Sequence, residues 1–221
     1  MSREQFHVVG KAIERPDALE KVTGQARYAD DLSFPNQLAA VMVRTPFVHA
    51  QIRSVDYSAI ESHVALAAIC DARDVPAANK IGTVRFDQPV FCDERIVTPG
   101  DVVAMLTGPS EEELLALRDQ IIIEAEPLPV LDDPARALDD DAPLIHAEFG
   151  TNLIVHYPLR KGDVEKGFSN SDFIFEQTYT TQRVEHSYLE PECVTAIPCE
   201  GNRGIEIIGS IQNPFTARRL V

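Results

Sequence analysis

The chain has 221 residues, 44% of them hydrophobic, with a formal net charge of -15. That length suits one large domain or two smaller ones around a substantial core. The charge opposes any encounter with phosphate backbones or anionic membranes, which excludes nucleic acid as a partner.

No apolar run approaches the roughly 20 residues that span a bilayer. The opening Met1-Ser2-Arg3-Glu4-Gln5-Phe6 lacks the charged-then-apolar order of a signal peptide. A cytoplasmic protein without membrane contact is expected. Cys70, Cys92, Cys193 and Cys199 form no C-x-x-C pair, so free thiols are expected in place of a disulfide framework or metal ligand set.

In chain order, residues 1–19 are polar, carry Pro16 and read as an extended arm. A turn at Gly24 leads to a short strand ending at Asp30-Asp31, where Asp suits a ladder poorly. Leu38 to Val43 and Ala50 to Val55 read as two paired strands, with His49 between them as a structural, hydrogen-bonded histidine. Ser58 and Glu61 have capping-box spacing and predict a short helix. Val64 to Cys70 is continuously apolar, as a central strand buried on both faces would be.

Asp101 to Leu106 predicts another buried strand. After it, Ser110 and Glu113 form a second capping box, and Leu114, Leu117 and Ile121 share one face, which predicts a helix over Glu111 to Asp119. A strand from Ile121 to Glu124 follows, so the spacing predicts strand, crossover helix and strand with parallel pairing.

Between Pro129 and Pro143 the acids Asp132-Asp133 and Asp139-Asp140-Asp141 lack the glycine and terminal glutamate of a calcium loop and read as a solvated linker. The expected divisions are an arm at 1–19, a domain at 20–135, an acidic linker at 136–152 and a second unit at 153–221. That unit should open with one helical turn capped by Asp163, then a long strand from Phe173 to Gln182. Cys193 to Ile197 and Gly204 to Ser210 read as a hairpin turning at Glu200-Gly201-Asn202-Arg203, and Phe215 to Leu220 as the opening of a helix.

On chemistry alone, Glu185, His186, Glu190 and Glu192 offer acid-base groups or a metal site, but carboxylates flanking a turn are more often solvent-exposed. Gln212 is neutral and can only orient or hydrogen-bond an oxygen.

The motifs Gly162-Asp163-Val164-Glu165, Thr181 through Glu192, and Ser210-Ile211-Gln212-Asn213-Pro214 resemble the start of the molybdenum-binding region of the xanthine dehydrogenase and aldehyde oxidase family. Lys21-Val22-Thr23-Gly24, Ala26-Arg27-Tyr28, Asp30, Arg44, His49-Ala50 and Glu126-Pro127-Leu128-Pro129 resemble the preceding α/β-hammerhead domain of that family. Pro99-Gly100-Asp101-Val102-Val103 departs from it, lacking a proline that many relatives place after the acid.

The resemblance implies an α+β fold: a hammerhead domain followed by the beginning of the molybdenum-cofactor-binding domain. It implies part of a hydroxylase that oxidises a heterocycle or aldehyde with water-derived oxygen on a molybdenum-pterin cofactor. Iron-sulfur and flavin groups are then expected on partner subunits or domains, and the remainder of the molybdenum-binding subunit as a further partner. By resemblance Gln212 reaches an oxo ligand of molybdenum, Glu185, His186 and Glu190 shape the site, and no residue here is a metal ligand or the catalytic glutamate. The isolated chain is expected to be inactive and free of cofactor. A non-catalytic truncated relative, serving as a folding or subunit-interaction module, is the alternative.

Overall fold

The computed structural model describes residues 7–199, 201 and 203–221. Two compact units emerge, one from Asn36–Arg183 and one that joins the residues up to Pro35 to Val184–Val221.

Before Pro35 the structure has helix α1 (Ala18–Val22), and where a strand was expected to end at Asp30-Asp31 it has a 3₁₀ turn at Ala29–Asp31. Local side-chain bonds decide this. The Asp17 carboxylate holds both Arg15 and Lys21, and that of Asp31 accepts the Tyr28 amide at 2.9 Å, so each acid closes a turn.

The larger unit contains β1 (Ala39–Arg44), β2 (Ala50–Asp56), β3 (Ala68–Asp71), β4 (Arg95–Ile96), β5 (Val102–Gly108), helix α2 (Glu111–Arg118), β6 (Ile122–Pro127) and helix α3 (Val164–Ser169). Two three-stranded sheets result, ordered β1-β5-β3 and β4-β2-β6, with every pair antiparallel. β1 and β2 therefore lie in different sheets and do not pair with each other. The expected parallel pairing across α2 also fails: β1 and β3 occupy both edges of β5, leaving no ladder for β6, which pairs with β2.

β5 is the covered centre of its sheet, with Val103, Ala104 and Leu106 each at most 2% exposed. In β1 the alternation of Val41 and Val43 inward with Ala40 and Met42 outward follows the two-residue pleat. Helix α2 forms as expected. The Ser110 hydroxyl accepts the Glu113 amide at 3.3 Å, and Leu114 and Leu117 are buried against the sheet.

Other expectations shift. Val64 is 98% exposed, and the strand begins only at Ala68, as an edge and not a centre. The Ser58 box makes no helix. The Asp56 carboxylate takes the Ser58 amide at 2.8 Å, and Ile60 and Glu61 both donate to the Tyr57 carbonyl, closing a turn that buries Ile60. The stretch from Phe173 to Gln182 is irregular. Phe173, Ile174, Phe175 and Tyr179 are all exposed and no described strand offers them a ladder, so β-propensity finds nothing to pack against. Asp163 does cap α3, its carboxylate accepting the Lys166 amide at 3.0 Å.

The acids of the linker are exposed, as a solvated segment requires, but its backbone is tied down. Asn152 accepts the Ile145 amide and donates to the carbonyls of Ala137 and Pro143. Arg85 stacks over the Phe149 ring at 4.6 Å and donates to the Leu153 carbonyl.

Candidate functional site

The candidate residues fall in the smaller unit, on the irregular stretch from Val184 and around the hairpin that follows. Glu185 and His186 are neighbours with Oε1 and Nδ1 3.9 Å apart, their side chains 79% and 86% exposed. At Ser187 the backbone enters the left-handed region, φ 48°, which breaks any extended run. The Glu192 carboxylate raises the Tyr188 pKa above the ordinary tyrosine value, with desolvation and the Glu185 charge adding to it. Glu190 is half-buried at the bend between them.

The hairpin pairs β7 (Val194–Pro198) with β8 (Ile205–Gly209) in the register Val194 to Gly209 through Pro198 to Ile205. Glu200 and Asn202 of the expected turn lie outside the described residues. At the open end the Ser210 amide donates to the Cys193 carbonyl at 3.3 Å. A Cβ on Gly209 would stand 2.7 Å from that same carbonyl, so only glycine lets the strands meet here.

Helix α4 (Pro214–Leu220) starts four residues later. Asn213 caps it, its Oδ1 accepting the Thr216 amide at 3.1 Å, and Pro214 fills the first turn, where no N–H is needed. Gln212 is held immediately before this cap, between a strand end and a helix start. Its side chain is exposed and has no hydrogen-bond partner among the described residues. The carboxamide thus keeps both N–H donors and its acceptor oxygen for another group. Between the hairpin and α4 lies a groove of about 330 Å³, with Val194, Ile205, Ile207, Ile211, Pro214 and Ala217 among its lining.

No hydrogen bond or ion pair among the described residues joins Gln212 to Glu185, His186 or Glu190; the structure brings together only the neighbouring pair Glu185 and His186. Nor does any group of three His, Cys, Asp or Glu side chains among the described residues gather at metal-ligating distance. Two contributors escaped the residue-level reading. Asn213 is the cap of α4 directly after Gln212, and its signal was the Asn-Pro pair opening a helix. The influence of Glu192 on Tyr188 has no sequence signature beyond their spacing.

No helix among the described residues is long and apolar enough to cross a membrane. Residues 23–129 match the family model for the aldehyde oxidase and xanthine dehydrogenase a/b hammerhead domain, and residues 145–221 the model for the molybdopterin cofactor-binding domain. The chain is 36% identical over 204 residues to a probable xanthine dehydrogenase subunit of Bacillus subtilis, covering 92% of this chain and 27% of the relative. It is 32% identical over 216 residues to the nicotinate dehydrogenase large molybdopterin subunit of Eubacterium barkeri, covering 97% of this chain and 50% of the relative. Among solved structures, the aldehyde oxidoreductase of Desulfovibrio gigas superposes with a TM-score of 0.74 at 25% identity, over 88% of this chain and 23% of that one. The chain thus spans between about a quarter and a half of the length of these curated relatives.

Proposed function

Because the chain belongs to the aldehyde oxidase and xanthine dehydrogenase family, we propose that it supplies the hammerhead domain and the first part of the cofactor-binding domain of a molybdenum hydroxylase. The bound molybdenum-pterin group supplies the redox chemistry by which a water-derived oxygen is added to a carbon of a heterocycle or aldehyde. This chain's own contribution is hydrogen bonding and shape.

The observation that carries this reading is Gln212. Its carboxamide is exposed, unpartnered among the described residues, and carried on the residue just before the Asn213 cap. An amide with two free donors fits an oxygen ligand on a metal, and it lies within the residues matched by the molybdopterin domain. Glu185, His186 and Glu190 are assigned to the surroundings: Glu185 and His186 are exposed and held only by each other, which cannot place a proton at a fixed point, and Glu190 joins neither them nor Gln212.

The curated relatives are named as subunits, which supports partner subunits; the remainder of the molybdenum-binding subunit and the iron-sulfur and flavin groups are assigned to such partners by the family resemblance alone. We place the assembly in the cytoplasm. The domain limits proposed are 20–135 for the hammerhead, 136–152 for the acidic linker and 153–221 for the cofactor-binding part.

The test uses the complete enzyme that carries this chain, assayed with xanthine, nicotinate and an aldehyde. Gln212→Ala should lower turnover of the accepted substrate by about tenfold, the scale of one charge-assisted hydrogen bond, with molybdenum content retained. Unchanged turnover would remove Gln212 from the site; absence of molybdenum from the unmutated enzyme would remove the whole reading.

A further inference from the structure

His49 is 6% exposed and uses both ring nitrogens. Its Nδ1 lies 2.5 Å from the Pro129 carbonyl oxygen. Its Nε2 faces the Arg95 guanidinium, with Nε at 3.0 Å and a terminal nitrogen at 2.7 Å. A carbonyl can only accept and a guanidinium can only donate, so the ring is fixed as the neutral tautomer with its proton on Nδ1. Arg95 spends its remaining terminal nitrogen on the Ile145 carbonyl at 3.0 Å.

The two carbonyls caught by this pair are not arbitrary. Pro129 is the last residue matched by the hammerhead model and Ile145 the first matched by the molybdopterin domain. One buried imidazole–guanidinium contact therefore grips both ends of the acidic segment that connects the two matched regions. Leu128 adds a backbone bond to the His49 carbonyl at 2.9 Å, and Asn152 accepts the Ile145 amide at 2.9 Å from the other side.

We propose that His49 and Arg95 form the joint between the two regions, closing residues 130–144 into a loop and fixing the point at which the chain enters the cofactor-binding part. The roles are unequal. His49 holds the Pro129 end directly, whereas Arg95 holds the Ile145 carbonyl opposite Asn152 on its amide, and His49 reaches that end only by orienting Arg95. The proposal depends on the contacts of these residues and not on any activity of the enzyme.

Hydrogen exchange and limited proteolysis of the complete protein test the asymmetry. Arg95→Ala frees the Ile145 carbonyl and leaves that end to Asn152 alone, so it should speed exchange at the Ile145 amide and cleavage within 130–144 by at least about tenfold, while the Leu128 amide and the β5 amides keep their protection. His49→Asn, whose amide stands where Nδ1–H stood, should retain Leu128 protection yet still loosen Ile145, because the acceptor for Arg95 is gone. His49→Ala should release both ends. If Arg95→Ala loosens both ends alike, or leaves the loop unchanged, the joint is refuted. If β5 loses protection in every variant, the pair acts through the core and the proposal is equally overturned.

Discussion

Asp101 and Cys92 meet inside the larger unit, with the Cys92 sulfur 3.8 Å from a carboxylate oxygen that also accepts the amides of Val97 and Thr98 at 2.9 and 3.2 Å. The same thiol points at the Arg95 carbonyl, 2.7 Å away. One acid thus organises the turn that feeds β5, and the thiol packs behind it as a small apolar group.

Burial, followed by the nearby Asp101 and Asp93 charges, pushes the Cys92 thiol up to about 12. A thiol whose pKa is raised stays protonated and unreactive at ordinary pH, because only the thiolate attacks. Iodoacetamide at pH 8 should label Cys199, which is exposed, and leave Cys92 untouched until the protein unfolds. Peptide mass mapping reads the order of labelling; modification of Cys92 in the folded state would contradict the burial.

The seam between α2 and β5 should show three graded losses. Ser110→Ala removes a cap and should cost about 1 kcal/mol. Gly108→Ala places a methyl 2.2 Å from the Ala65 carbonyl oxygen, and moving that backbone should cost about 1–3 kcal/mol. Leu114→Ala, at a side chain with no exposed surface, should cost about 2–5 kcal/mol by leaving a cavity. Urea midpoints at constant m-value measure all three, and an Ala at 110 as costly as one at 114 would invert the assignment.

Asp71 predicts an acid dependence. The Arg73 side chain, bonded at 2.7 Å, and the Arg73 amide hold the Asp71 carboxyl below the usual carboxylate range. Because the folded value lies below the unfolded one, its contribution is complete above the ordinary aspartate pKa of about 3.9 and is lost as pH falls through the folded value. In Arg73→Ala the Asp71 titration, followed by carboxyl NMR, should move upward toward the ordinary range. A titration unmoved by that change would assign the depression to the backbone alone.

What could be read beforehand was local. The α2 helix, its Ser110 cap, the Asp163 cap, and the positions of β1, β2 and the β7–β8 hairpin follow from patterns a few residues wide, as capping and pleat alternation do. Strand partners could not be read. Asp101 to Pro127 carries a sound strand–helix–strand pattern, yet which edge β6 joins depends on β1 and β3 having already filled both sides of β5. Phe173 to Gln182 has the composition of a strand but no ladder to enter, since propensity reports fit to neighbours that must exist. In the candidate site, Gln212 is named through resemblance, while the cap of α4 lies one residue further on at Asn213. His49 was assigned a structural hydrogen bond, but Arg95, its partner 46 positions away, left no local trace.

The antiparallel pairing of the larger unit also sets the order of events during synthesis. None of its sheet pairs is a local hairpin: β2 must wait for β6, and Ser54 meets Glu124 across 70 positions. Closing loops of that size before any ladder stabilises them slows assembly. On the ribosome, β1 and β3 therefore emerge with their edges bare until β5 follows, and β2, apart from the two positions that β4 covers, until β6 has left the exit tunnel, which makes this interval the time when the nascent polypeptide most needs a chaperone.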